Sequence, residues 1–157
     1  MTSNKEILEL VQKWIDRNNE LTEQLAQLTC KFLLQEEEKI MKYEDIIKGF
    51  SVITCAVDVD RTEYLRIISD GIKERTWEHI VVLAAIINNR ISVIVRVSPM
   101  AIEQKIYANE LIKEILKHMN GNGGGNKEFA QGSSPEVDQI GYLIGISKTI
   151  IKNKLLM

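Results

Sequence analysis

The chain has 157 residues, 45% of them apolar and 27% charged, with a formal net charge of -2. That composition suits one soluble domain, or a small domain with an appendage, and it excludes a broadly basic nucleic-acid binder. The two cysteines, Cys30 and Cys55, fall in different expected elements and suggest no disulfide framework. No apolar run reaches the roughly 18 residues of a membrane span, and the N-terminus has no apolar signal core. The expected setting is therefore a reducing cytoplasm, with no membrane contact. Residues 1–48 carry seven Lys/Arg and ten Asp/Glu, a net of -3, whereas residues 49–157 carry a net of +1. Neither part has a polybasic run, so nucleic-acid contact would rest on shape and a few local groups.

Ser3 followed by Glu6 reads as a capping box at the start of a helix. Apolar residues then recur at Ile7, Val11, Trp14, Leu21, Leu25, Leu28 and Phe32, with Asn18 on the same seam. The alternating spacing of four and three is a heptad signal, and Asn18 falls at an a-type position where an amide sets register. Val11, Trp14, Asn18, Leu21, Leu25 and Leu28 are thus the expected seam of a coiled-coil arm. An amphipathic helix lying on its own domain fits the same spacing. The acidic run Glu36–Glu38 interrupts the heptads, and a second helical stretch with Ile40, Tyr43, Ile46 and Ile47 is expected to end at Gly49.

Ser51 to Val57 is β-branched and apolar and predicts a buried strand. Asp60 with Glu63 reads as the cap of a helix through about Ile72. His79 to Ile87 predicts a second strand, Asn88-Asn89 a tight turn, and Ile91 to Val97 the antiparallel return, ended by Pro99. A helix is expected from about Tyr107 to His118, and a last one after Pro135 with Val137, Ile140, Leu143, Ile144, Ile150 and Ile151. The expected fold class is α/β (α+β): a long helical arm over residues 1–48, then a small mixed β-sheet domain with flanking helices over residues 49–157.

Between those last two helices lies Asn120 to Ser134, which holds five of the nine glycines. Consecutive glycines can reach positive φ and turn main-chain N–H groups into one concavity, which would suit a phosphate or sugar backbone. The stretch follows a helix where a dinucleotide fingerprint follows a strand, and it lacks the Lys-Ser/Thr ending of a P-loop. A nest-like loop is expected, with Lys127 and Gln131 as its polar neighbours. A solvated linker is the competing reading, against which Phe129-Ala130 is oddly apolar. Lys148, Lys152 and Lys154 form a modest basic stripe that either faces solvent or touches phosphates. His79 and His118 have no second ligand at metal-site spacing, and neither cysteine has a nearby histidine, so no metal site and no catalytic residue is expected.

The order strand, hairpin, helix, Gly-x-Gly-Gly-Gly and then Ala-Gln-Gly resembles the DHHA1 domain, in the version that ends alanyl-tRNA synthetases. Val81 to Ile86 with Ile91 to Val95 is similar to the family hairpin, and Glu110 to Ile115 to the helix before the loop. Gly121 to Gly125 with Ala130-Gln131-Gly132 is similar to the signature. The resemblance covers about residues 5–140. It implies a non-catalytic C-terminal (C-Ala) domain that binds the elbow of alanine tRNA, links aminoacylation with editing, and can form a homodimer through its arm. The implied RNA-binding residues are Gly121, Gly123, Gly124, Gly125, Asn126, Lys127 and Gln131, with Lys148 and Lys152 nearby. Family loops carry basic residues where this chain has Asn122 and Asn126. No adenylation core, editing-domain zinc site or DHH acidic cluster is recognisable, so the chain is expected to be an excised fragment without cofactors. The parent ligase would use ATP, magnesium and zinc. The alternative is an assembly module working through the arm, with reduced RNA binding.

Overall fold

The computed structural model describes residues 3–157. Two compact units divide between Gln35 and Glu36. In the first, the chain is helical from Asn4 onward. Helix α1 runs over Asn4–Met41, and the Ser3 hydroxyl accepts a hydrogen bond from the Glu6 amide at 3.2 Å, which is the expected cap. The seam side chains are exposed, among them Val11, Trp14, Leu21, Leu25 and Leu28. Asn18 is exposed too, and its carbonyl accepts a bond from the Thr22 hydroxyl.

The acidic run does not end this helix. Glu37 is buried, with its carboxylate 2.5 Å from Nε of Arg75. It also lies where a Cβ on Gly71 would stand, so the glycine makes room for it. The expected second helix over Ile46 and Ile47 is instead an edge strand.

The second unit is built on a six-stranded mixed sheet. Its strands are β1 (Asp45–Ile47), β2 (Phe50–Ala56), β3 (His79–Ile87), β4 (Arg90–Val97), β5 (Asn122–Gly125) and β6 (Phe129–Ser134). Their order across the sheet is β1-β2-β3-β4-β6-β5. Only β2 and β3 pair in parallel. They are joined through helix α2 (Thr62–Arg75), as a parallel crossover requires. Two tight hairpins use residues in left-handed conformations. Lys48 and Gly49 have φ of 51° and 84°, and Asn88 and Asn89 have φ of 52° and 60°. Turns of this kind match the twist of the flanking strands. Helix α2 begins after Arg61 with no side-chain cap, so Asp60 does not fill the expected role.

Beyond β4 come a short helix α3 (Pro99–Glu103), helix α4 (Ala108–Leu116) and helix α5 (Ile140–Leu156). Successive strand residues alternate between faces. One face gives Val52, Ile80, Val82, Val93, Val95 and Ala130 to a core shared with α4 and α5. The other gives Ile53, Val81, Leu83 and Ile94, all fully buried, and it is α2 that packs there against β3 and β4.

Candidate nucleic-acid interface

The glycine-rich stretch is a β-hairpin, not a nest. None of Gly121, Gly123, Gly124, Gly125 and Gly132 has positive φ, and Gly123, Gly124 and Gly125 pair with Gly132, Gln131 and Ala130. Glycine is a weak strand former, so the extended backbone needs a packing reason. Helix α4 supplies it. A Cβ on Gly123 would stand 2.9 Å from Cγ1 of Ile112, and one on Gly132 2.5 Å from Cδ1 of Leu116 and 2.6 Å from the Asn122 carbonyl. A Cβ on Gly121 would meet the Ser133 carbonyl at 2.6 Å. These glycines let a helix lie directly on main chain.

Gly124 is different. It lies on the opposite face, and a Cβ there would meet nothing within 4 Å. Packing therefore does not explain this glycine. Opposite it stands Gln131, exposed on the same face. Together with Gly125, Asn126, Phe129 and Arg66 they line a shallow depression of about 290 Å³. Helix α2 packs mainly over β3 and β4 and reaches β6 only through Arg66 on Phe129, so Gln131 stays exposed and Gly124 uncrowded on this side.

Phe129 is the hub of the depression. The Arg66 guanidinium lies 4.9 Å from its ring centroid, and that of Arg96 lies 5.0 Å away. Such cation–aromatic contacts hold a guanidinium in place while leaving its N–H edge available. Arg96 is buried and committed elsewhere: its Nε donates to the Ser69 hydroxyl at 3.1 Å, and its Nη2 pairs with Asp70. Nearby, His79 is buried with neither ring nitrogen hydrogen-bonded. Burial first, then the positive charges of Arg96 and Lys73, pushes its pKa down to about 4.

The turn of the hairpin is equally defined. Oδ1 of Asn126 accepts from the amides of Glu128 and Phe129, at 2.9 and 2.8 Å. Asn126 therefore has a turn-forming task. The carbonyls of Lys127 and Asn126 accept from the amides of Ala108 and Asn109, the first of α4, at 2.8 and 3.2 Å. Lys127 itself is exposed, its ammonium 4.8 Å from the Tyr107 ring centroid.

The structure thus brings Gly124, Gly125, Asn126 and Gln131 together, puts Lys127 at the adjoining turn, and turns Gly121 and Gly123 toward α4. Lys148 and Lys152 are not part of this group. They sit on α5, which covers β2 and β3 from the other face, and Lys148 pairs with Asp45 on β1 at the far edge of the sheet. That pairing, chiefly its hydrogen bond, holds the Asp45 carboxyl below its ordinary pKa, with Lys152 adding a smaller effect. Lys154 pairs with Glu114 at 3.0 Å. Arg66 and Arg96 were not singled out by the sequence reading. The signal for Arg96 is its position as the one charge inside Ile91–Val97, and Arg66 carries none, being a typical charged residue on an amphipathic helix.

Both thiols are free, Cys30 exposed and Cys55 buried. Burial, with Glu36 adding to it, pushes the Cys55 thiol up. Among the described residues, no group of three or more His, Cys, Asp or Glu is placed to hold a metal ion. No helix among them is long and apolar enough to cross a membrane.

The family model described as "DHHA1 domain" matches residues 49–153. The chain belongs to the DHHA1 domain family. Among curated relatives, an alanine–tRNA ligase of Alkaliphilus metalliredigens is 25% identical over 98% of this chain and 18% of its own length. One of Buchnera aphidicola is 31% identical over 98% of this chain and 17% of its own. The chain thus spans less than a fifth of the ligases it matches. The crystal structure of the C-Ala domain from Aquifex aeolicus alanyl-tRNA synthetase superposes with a TM-score of 0.60 at 26% identity, covering 71% of this chain and 96% of that one. This DHHA1 chain therefore resembles the C-Ala part of alanyl-tRNA synthetases in both sequence and fold.

Proposed function

We propose that the chain is the non-catalytic, tRNA-binding C-terminal domain of a cytoplasmic alanyl-tRNA synthetase. In this reading it grips the elbow of alanine tRNA and helps one tRNA serve both aminoacylation and editing. ATP, magnesium and zinc are assigned to the parent enzyme and not to these residues. The observation that carries the reading is the open face of Gly124 beside Gln131, in a hairpin where a Cβ on Gly121, Gly123, Gly125 or Gly132 would stand within 3 Å of a neighbouring atom. A glycine there lets a ligand backbone approach the strand closely. RNA is commonly read through shape, 2′-hydroxyls and phosphates, which a domain of low net charge can do with few contacts.

The test is a titration against alanine tRNA and an unrelated tRNA at two salt concentrations. Binding to both with a shallow salt slope is expected of elbow recognition through a few phosphates. Absence of binding to either would refute the reading.

A second reading, assembly through the arm, is supported by the exposed seam, where Trp14, Leu25 and Leu28 are 67%, 65% and 64% exposed. Pairing of two arms would bury them in a heptad interface, with Asn18 setting the register. Sedimentation of the chain as a monomer at micromolar concentration would count against this reading. If the arms do pair, Asn18→Leu should change the stability or the number of chains in the assembly.

A further inference from the structure

We infer that the phosphate-binding charge of this surface comes from Arg66 on α2, outside the glycine hairpin altogether. The inference rests on the RNA-binding reading above and assigns the cation within it. The hairpin itself is short of charge: Asn122 and Asn126 carry none, and Asn126 is engaged in its own turn. Lys127 leans on Tyr107 rather than lining the depression. Arg66 does line it, with Gly124, Gly125 and Gln131.

What leaves Arg66 available is the fate of its neighbours. Asp70 lies four residues further along α2, the spacing at which a carboxylate ordinarily pairs with an arginine on a helix. That carboxylate is taken by the buried Arg96. The nearby Glu128 pairs with Lys73 at 3.6 Å. Among the described residues no ion pair is formed by Arg66, whereas the Phe129 ring holds its guanidinium over the depression. An arginine so held presents a planar fork of donors, which matches the oxygens of a phosphodiester in a way a lysine does not. Gly124 leaves the strand opposite bare, so the sugar-phosphate chain can pass between them. Gln131 then offers an amide to a 2′-hydroxyl or a base edge. Arg96 is a positioning residue in this scheme: it occupies Asp70 and supports the Phe129 ring.

The experiment is a fluorescence titration of the full chain with a folded tRNA, over about 50 to about 200 mM salt. The unmodified chain is compared with Arg66→Ala, Arg66→Lys, Lys127→Ala and Gly124→Val, each checked for an unchanged melting temperature. Arg66→Ala is expected to weaken binding about tenfold and to lower the slope of log K against log salt by roughly 0.7 to 0.9, the loss of one phosphate contact. Arg66→Lys should keep the slope and lose part of the affinity, because the charge stays and the fork is lost. If Arg66→Ala leaves affinity and slope unchanged while Gly124→Val weakens binding, the assignment to Arg66 fails and the RNA reading survives. A larger slope change in Lys127→Ala than in Arg66→Ala would return the role to the hairpin turn and overturn the assignment. No binding by the unmodified chain would overturn both.

Discussion

The two faces of the sheet are covered to different extents. On one, α4 and α5 together reach from β2 to the outermost strand β5, and apolar side chains fill the layer throughout. On the other, α2 lies mainly over β3 and β4 and touches β6 only through Arg66 on Phe129, which leaves Gln131 exposed and Gly124 with nothing against it. The same hairpin therefore meets two unlike demands. Toward α4 it must be thin, and glycine is kept because anything larger collides. Toward the depression it is thin with nothing pressing on it. Absence of side chain counts as structure in the first case and as an opening in the second.

The largest effect should come from thickening the packed side. Gly132→Val would drive a side chain into Leu116 and the backbone of the neighbouring strand, which puts the cost at the upper end of the overpacking range, about 3 kcal/mol. The melting temperature, followed by circular dichroism, should fall by roughly 10 °C for a chain of this size. An unchanged melting temperature would mean that α4 does not hold the hairpin closely.

Acid should come next, through the other face. The pKa of His79 lies near 4 in the folded chain, below the ordinary 6.5. Between those values the unfolded chain binds a proton that the folded chain refuses. The stability linked to this residue is thus fully present above about pH 6.5 and drains away as the pH falls toward 4, by at most about 3 kcal/mol. Denaturant melts across that window should show the loss, and His79→Gln should flatten it. A wild-type curve that is already flat there would contradict the burial of an unpaired imidazole.

A smaller effect is expected at the open side. Gly124→Val should change stability by no more than about 0.5 kcal/mol, since a Cβ there meets nothing within 4 Å and valine suits a strand. Its tRNA affinity should nevertheless fall about tenfold, equivalent to about 1.4 kcal/mol. A loss of stability comparable to that of Gly132→Val would erase the distinction between the faces. The smallest effect belongs to Lys148→Ala. Its partner Asp45 is on the far edge, and exposed pairs contribute little, so both stability and RNA affinity should stay within about twofold.

Much of this architecture was legible from residue order. The apolar runs from Ser51, His79 and Ile91 became strands, Asn88-Asn89 became their turn, and the period in Ala108–Leu116 became α4. The failures have tertiary causes. The glycine run read as a loop because glycine disfavours strands locally, and only the helix lying on it makes the extended form worthwhile. Ile46 and Ile47 suit helix or strand equally; the left-handed pair Lys48-Gly49 decides for a hairpin, whereas Gly49 alone had suggested a helix end. The acidic run seemed to break the first helix, but Glu37 finds Arg75 on an element nearly forty residues away. The depression was half visible. Gly124 and Gln131 came with the family signature, but the meeting of Arg66 with Phe129 exists only once α2 crosses the sheet.

The turn from Asn126 to Glu128 adds one more consequence. It stops the exposed end of α4 with two of its carbonyls, and carbonyls are supplied by any residue. Side chains such as that of Lys127 are therefore free to vary, as far as this contact is concerned. The number of residues is not: one more or one fewer would pull both acceptors off the helix end. In a set of related chains, the spacing between Gly125 and Phe129 should hold constant even where the letters between them drift.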